Sequence, residues 1–134
     1  LHSEKYELKK RDWNRPGNIK ELIGRVNSIR RDNPALQQFL NLEFLTTDND
    51  QIMFFAKQTR DKSNIILVAV NLDPLNAHFC TAFVPPELIG VAAGRSYRVT
   101  DLLTGAKYVW SDRNYVRLDP GVEPAHILRV EERL

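Results

Sequence analysis

The chain has 134 residues, 43% of them hydrophobic and 27% charged, with a net charge of +2 and a single cysteine. This length fits one domain able to bury a core without staples, and the lone Cys80 excludes an internal disulfide framework. No stretch has the apolar run of a signal peptide or a membrane span, which with the cysteine usage points to a cytoplasmic protein without a membrane partner. The chain opens on Leu1 rather than Met, which reads as a piece of something longer.

Charge is unevenly spread. Residues 1 to 31 hold nine Lys and Arg against four Asp and Glu, whereas the remainder holds ten against thirteen. A basic third can mark nucleic-acid binding. Here, however, Lys9, Lys10 and Arg11 are flanked by Glu7 and Asp12, and Arg25, Arg30 and Arg31 fall on the polar side of a helical pattern. A solvated face accounts for them, and no nucleic-acid partner is expected.

In chain order, residues 3 to 17 carry neither helical nor alternating periodicity and end on Pro16-Gly17, the signature of a loop. Its aromatics Tyr6 and Trp13 suit either sugar or base stacking or burial as anchors. Asn18, three residues before Glu21, reads as a helix cap, so a helix is expected from Ile19 to about Arg31. Ile19, Leu22, Ile23, Val26 and Ile29 form its apolar stripe, which needs a covering surface. Asp32-Asn33-Pro34 stops it, because the residue before proline avoids helical dihedrals, and Pro34 to Leu40 adds a turn pointing Leu36 and Phe39 inward.

Beyond Leu42 the period is that of strands. Expected strands are Leu42 to Thr46, Gln51 to Thr59, His78 to Val84, Ser96 to Leu102, Lys107 to Trp110, Tyr115 to Leu118 and Ala125 to Val130. Turns are expected at Asp48 to Asp50, Arg60 to Ser63, Thr104-Gly105, Asp112 to Asn114 and Pro120-Gly121, with a short helical turn at Glu87 to Gly90. The run Ile65 to Val70 is six residues of unbroken apolar, mostly β-branched character, too short for a typical globular helix, so it reads as a central strand buried on both faces. Together these make a mostly β protein, an antiparallel Greek-key sandwich of about eight strands preceded by one amphipathic helix.

Catalytic chemistry is sparse. The aspartates Asp48, Asp50, Asp73, Asp101, Asp112 and Asp119 nearly all lie at strand ends beside turn residues, where a carboxylate shapes its own backbone. His2, His78 and His126 are far apart, so no metal-ligand spacing appears, and Cys80 reads as a small buried strand residue. No glycine-rich phosphate loop is present. Tyr108 and Trp110 share one face of a strand and Tyr115 follows across a hairpin, an arrangement that serves glucan binding or cross-strand packing.

The order of parts, a basic loop, a helix ending Ile29-Arg-Arg-Asp-Asn-Pro-Ala-Leu36 and an all-β domain with Ile66-Leu-Val-Ala-Val-Asn-Leu-Asp73, resembles the end of an α-amylase-type chain of glycoside hydrolase family 13. Ser3-Glu-Lys-Tyr-Glu7, Asp101 to Trp110, Asn114 to Pro120 and Pro124 to Ile127 narrow it to the closing segment of the bacterial α-1,4-glucan:maltose-1-phosphate maltosyltransferases. The resemblance implies residues 1–39 as the end of a catalytic (β/α)8 barrel and residues 40–134 as a C-terminal sandwich that stabilises it. It further implies a retaining transferase that moves maltosyl units from maltose 1-phosphate to an α-glucan, homo-oligomeric and without a cofactor or metal. The catalytic carboxylates would lie upstream, leaving no catalytic residue here, and Lys5 and Tyr6 would contact the donor sugar. A glucan-binding module, or the C-terminal domain of a trehalose synthase or α-amylase, is the alternative reading.

Overall fold

Residues 65 to 70 do form the centre of the protein. The structure, a computed structural model, describes residues 16–38 and 41–134, with side chains described from Gly24 onward. Its strands are β1 (Leu42–Phe44), β2 (Thr46–Thr47), β3 (Ile52–Gln58), β4 (Ile65–Asn71), β5 (His78–Phe83), β6 (Tyr97–Asp101), β7 (Lys107–Trp110), β8 (Arg113–Leu118) and β9 (Ala125–Arg133). Helix α1 (Pro16–Asp32) precedes them, and the single turn α2 (Pro86–Ile89) follows β5. All pairings are antiparallel, in a six-stranded sheet ordered β1-β3-β4-β9-β6-β7 and a three-stranded sheet ordered β2-β5-β8. Strand β9 lies between β4 and β6, the crossed order that Greek-key connections produce.

Successive side chains of a strand alternate between faces, and β4 is covered on both. Ile65, Leu67 and Ala69 point into the space between the sheets, where they meet Phe54, Val99, Trp110, Val116, Leu118 and Leu128. Ile66 and Val68 point the other way, onto Ala35, with Leu36, Phe55, Leu102 and Ile127 around them. Full burial of an aliphatic side chain contributes about 1.5–3 kcal/mol, so a strand apolar on both sides contributes to two cores at once.

The second core is closed by the segment that ends the helix. A 3-10 turn, Pro34–Gln37, lays the fully buried Ala35 against β4. Asn33 organises the corner: its Nδ2 donates to the Ile29 carbonyl at 2.8 Å, and its Oδ1 accepts from Asn64 Nδ2 at 3.1 Å. Asn64 Oδ1 in turn accepts the Ala35 amide at 2.9 Å. Gln37 Nε2 donates to the carbonyls of Arg30 and Arg31, two of the acceptors that a helix end leaves without partners.

Most boundaries shift from expectation by a residue or two, β9 runs on to Arg133 rather than stopping at Val130, and three other differences have a local cause. The helix begins at Pro16, three residues before the expected Ile19, so Asn18 lies inside its first turn; proline suits the first helical position because its missing N–H has no partner there. The single strand expected over Leu42 to Thr46 is two strands in different sheets, divided at Leu45, whose side chain turns into the main core while its amide bonds Phe54 O at 2.9 Å. Strand β8 starts at Arg113 rather than Tyr115, because Asn114 acts from within the strand, accepting Ser111 N at 2.7 Å and donating to Ser111 O at 2.8 Å.

On the helix, Ile29 is buried as expected, while Val26 is 38% exposed. The expected docking of Ile19, Leu22 and Ile23 lies outside the described side chains, as does that of Phe39.

Candidate functional site

Two groupings of polar side chains stand out, both at the end of the sandwich where β4 finishes and β9 begins. The first forms where β6 and β9 run side by side. His126 lies on the inward face of β9, in step with Leu128 and Val130, and its Nδ1 donates to Asp101 Oδ2 at 3.0 Å. Asp101 is fully buried, and its Oδ1 also accepts the Leu103 amide at 3.0 Å. Burial alone pushes this carboxyl up, but the His126 hydrogen bond and the Leu103 amide outweigh it and hold it below its ordinary value. Glu123 Oε2 lies 3.7 Å from the same ring nitrogen, and the Tyr108 ring packs on the imidazole at 5.9 Å between centroids. Burial raises the Tyr108 phenol, helped by the charges of Glu123 and Asp101.

Asp101, Glu123 and His126 bring one ligand atom each within 4.8 Å of one another. A divalent ion would have to replace the bond between Nδ1 and Oδ2, which already satisfies both groups. The arrangement works as a buried clamp. It holds the loop after β6, onto which Arg25 Nη1 from α1 also donates through Leu103 O at 2.7 Å.

The second grouping surrounds the turn between β2 and β3. Asp48 Oδ1 accepts the Thr81 amide at 2.8 Å, and Asn49 Nδ2 donates to Phe79 O at 3.0 Å and reaches His78 Nδ1 at 3.2 Å. Asn49 Oδ1 accepts the Gln51 amide at 2.9 Å, which fixes the amide orientation. His78 Nε2 donates to Asp73 Oδ2 at 2.9 Å, so Nδ1 is the accepting nitrogen. The His78 bond, with the amides of Leu75 and Asn76 and the Asn76 side chain, holds the Asp73 carboxyl far below its ordinary value. Thr47, Asp48, Asn49, Asp50, His78, Phe79, Thr81 and Tyr115 line an open groove of about 840 Å³ here.

Against expectation, Asp73 and Asp119 accept amides of their own turns, whereas Asp48 ties its turn to the Thr81 amide of β5 and Asp101 does more than shape its loop. Sequence separation hid the pairing of Asp101 with His126; an imidazole on the inward face of an alternating strand was the signal that a partner had to exist. Cys80 is buried and burial pushes its thiol up to about 11, which removes it as a nucleophile. The platform of Tyr108, Trp110 and Tyr115 does not exist. Trp110 is a core residue, edge-on to Phe54 at 6.1 Å, Tyr108 packs on His126, and Tyr115 belongs to the other sheet, where its ring meets Phe79 at 6.2 Å. Lys5 and Tyr6 lie outside the described residues.

Among the described residues no carboxylate pair lies open across a cleft with one member set as an acid. Retaining and inverting glycoside chemistry both require such a pair. The most buried carboxylate, Asp101, is locked to an imidazole, and Asp73 is held ionised. Among the described residues no helix is long and apolar enough to cross a membrane.

The chain is 47% identical over 129 residues to the α-1,4-glucan:maltose-1-phosphate maltosyltransferase of Rhodospirillum rubrum, covering 96% of this chain and 19% of that protein. Against maltosyltransferase 1 of Streptomyces coelicolor the identity is 44% over 134 residues, and against the Corynebacterium glutamicum maltosyltransferase 42% over 136 residues. These alignments cover 97% and 98% of this chain and 20% of each relative, so the chain spans about a fifth of the length of the curated relatives it matches. Among solved structures, α-galactosidase I of Mortierella vinacea superposes with a TM-score of 0.51 at 14% identity, covering 68% of this chain and 23% of that one, a likeness of fold alone. The family model described as "GLGE, C-terminal" matches residues 44–130, nearly the whole sandwich, and the chain belongs to that family.

Proposed function

We propose that this chain is the C-terminal portion of a retaining, cytoplasmic and homo-oligomeric maltosyltransferase of glycoside hydrolase family 13, which moves maltosyl units from maltose 1-phosphate to a glycogen-like α-1,4-glucan. The observation that carries this reading is the 47% identity to a maltosyltransferase along 96% of the chain. In this reading residues 1–39 close the catalytic barrel and residues 40–134 form a sandwich that does no chemistry and braces it.

Two structural features support that division of labour. The carboxylates that are best held are bound to histidines and turn amides, which leaves the bond-breaking pair to the upstream part of the protein. The outer face of the six-stranded sheet also keeps apolar side chains wet at its β1 edge: Leu42 is 42% and Phe44 66% exposed, with Phe55 edge-on to Phe44 at 6.1 Å. Contiguous apolar surface of this kind marks an interface, and the upstream barrel is its occupant in this reading. Lys5 and Tyr6 supply donor-sugar contacts, an ammonium with three donors and a ring with a hydroxyl.

The test is phosphate release from maltose 1-phosphate by the full-length protein, with and without a maltooligosaccharide acceptor. Acceptor-dependent release supports the reading, and its absence from folded protein contradicts it.

A further inference from the structure

The loop from β4 to β5 is stiff, and its apolar side chains join neither core. Asn71 Oδ1 accepts the Asp73 amide at 2.8 Å, and Asp73 Oδ1 accepts the amides of Leu75 at 2.9 Å and Asn76 at 3.2 Å. Asn71 Nδ2 donates to Asn76 O and to Leu118 O, each at 3.0 Å. Neighbouring loops grip the segment from two sides, the Leu72 amide donating to Gln51 O at 2.8 Å and the Asn71 amide to Pro124 O at 2.9 Å. Yet Leu72 is 53% and Leu75 68% exposed, with Pro74 exposed between them. A loop that spends its polar groups on its own shape and leaves leucines in water can meet a surface at little cost in ordering.

The surroundings say which surface. The register sets Phe44 beside Phe55 and Met53 beside Val70, so a half-covered apolar strip runs from the wet β1 edge across the outer face of the six-stranded sheet toward Leu72. Helix α1 crosses this face against the direction of β4: its end is tied at the start of β4 through Asn33 and Asn64, while Arg25 reaches Leu103 in the loop after β6, at the far end. Residues 24–27, a full helical turn, are all exposed, so the helix has left the sheet by then. Pro16 lies nine residues before Arg25, which is about 13 Å further along the axis. The chain that precedes α1 therefore approaches over the loop end of the sandwich.

Charge agrees with that approach. Asp48 and Asp50 stand exposed on the turn that grips Leu72, and Asp119 and Glu123 lie in the loop that grips Asn71. The nearest cations, Arg117 and His78, are paired with Asp119 and Asp73. Residues 5–15, ahead of the helix, carry Lys5, Lys9, Lys10, Arg11 and Arg15 against Glu7 and Asp12. A second copy meeting this end about a two-fold axis would instead set one acidic rim against another.

We propose that residues 72–75 are a second footing for the upstream part of the same polypeptide, which covers the two leucines and brings its basic approach to α1 against the acidic rim. That the upstream part is a catalytic barrel rests on the function proposed above; its direction and charge rest on α1 and the sequence.

The experiment uses the full-length protein. Leu72→Cys and Leu75→Cys are introduced one at a time, with Val109→Cys as the reference, because Val109 is 58% exposed on the edge strand β7 and the native Cys80 is buried. Both loop variants are expected to react with a maleimide more than about tenfold slower than the reference in the native protein, since opening of the contact must come first, and at the same rate in urea. Native labelling as fast as the reference overturns the proposal.

Photo-crosslinking identifies the cover. With Leu75→p-benzoylphenylalanine, the adduct is expected to run at the mass of one chain on a denaturing gel and to join position 75 to a peptide upstream of Pro16. An adduct of twice that mass, meaning a second copy, overturns the proposal, and so does the absence of any adduct. If the loop is covered and crosslinks within the chain but the protein transfers no maltosyl group, the proposed function fails alone. If it transfers maltosyl groups and the loop labels freely, only the present proposal fails.

Discussion

Replacing Asn33 tests how the helix is locked to the sandwich. Asn33 is 2% exposed and bridges two elements, donating to Ile29 O at the end of α1 and accepting from Asn64 Nδ2 at the start of β4. Asn33→Ala removes both bonds, each contributing about 1 kcal/mol net, and leaves a helix-terminal carbonyl with one partner fewer, so a loss of about 2–3 kcal/mol is expected. Asn33→Asp keeps an acceptor for Asn64 but sets a carboxylate against the Ile29 carbonyl and the negative end of the helix, at a position that is 2% exposed. It should therefore cost more than alanine, by about 1 kcal/mol or more. Urea unfolding followed by tryptophan fluorescence reports this directly, because Trp110 is buried at the core. With a slope of about 1–3 kcal/mol/M, the alanine midpoint should fall by about 0.7–3 M, with the aspartate variant lower still. An alanine variant within about 0.3 M of the parent, or an aspartate variant more stable than it, would refute the proposed lock.

Val26→Asp should change the unfolding of the 134-residue chain little, since Val26 is 38% exposed there, but destabilise the full-length protein by more than about 2 kcal/mol if the barrel covers it; equal effects in both would remove α1 from that interface. Cys80 should resist iodoacetamide at pH 8 in the folded protein and react on unfolding, because it is 3% exposed and burial pushes its thiol up to about 11; rapid native-state alkylation would contradict its placement. Asp73 and Asp101 both titrate below their ordinary value of 3.8 when folded, so their stabilisation is complete above that value and is lost as the pH falls through the lower folded values. Acid titration of stability should accordingly be shallower for Asp73→Asn than for the parent below pH 4, and an unchanged slope would dismiss the His78 pair as a contributor. Lys5→Ala in the full-length protein should lower kcat/KM for maltose 1-phosphate by a factor corresponding to about 1–3 kcal/mol without altering the melting temperature, and unchanged kinetics would withdraw Lys5 from the donor site.

Much of the fold is legible from local chemistry because β4 announces itself. A six-residue apolar run needs cover on both sides, and the two cores that provide it follow from alternation along one strand. Lys107 to Trp110 and the Asp73-Pro74 stop needed no tertiary knowledge either. What escaped depends on which strands meet. The chain crosses between sheets at Leu45, and nothing in Leu42 to Thr46 alone distinguishes a corner from a straight strand. Tyr108 and Trp110 do share a face, but whether that face is wet or dry is decided by the sheet packed over it. The exposed partner of Tyr115 was within reach: with Cys80, Ala82 and Val84 pointing inward, Phe79 had to point out. The Asp101 and His126 pair lies 25 residues apart in sequence, and only the antiparallel register of β6 with β9 brings it together.

The proposed function makes these residues the non-catalytic end of an enzyme that transfers maltosyl units. The most direct measurement is mass spectrometry of maltooligosaccharides incubated with maltose 1-phosphate and either the full-length protein or the isolated 134-residue chain. The full-length protein is predicted to lengthen the acceptor in steps of two hexose units, with phosphate released in equal amount, while the isolated chain leaves both substrates untouched. Steps of one hexose, simple hydrolysis of the acceptor, or elongation by the isolated chain would contradict it.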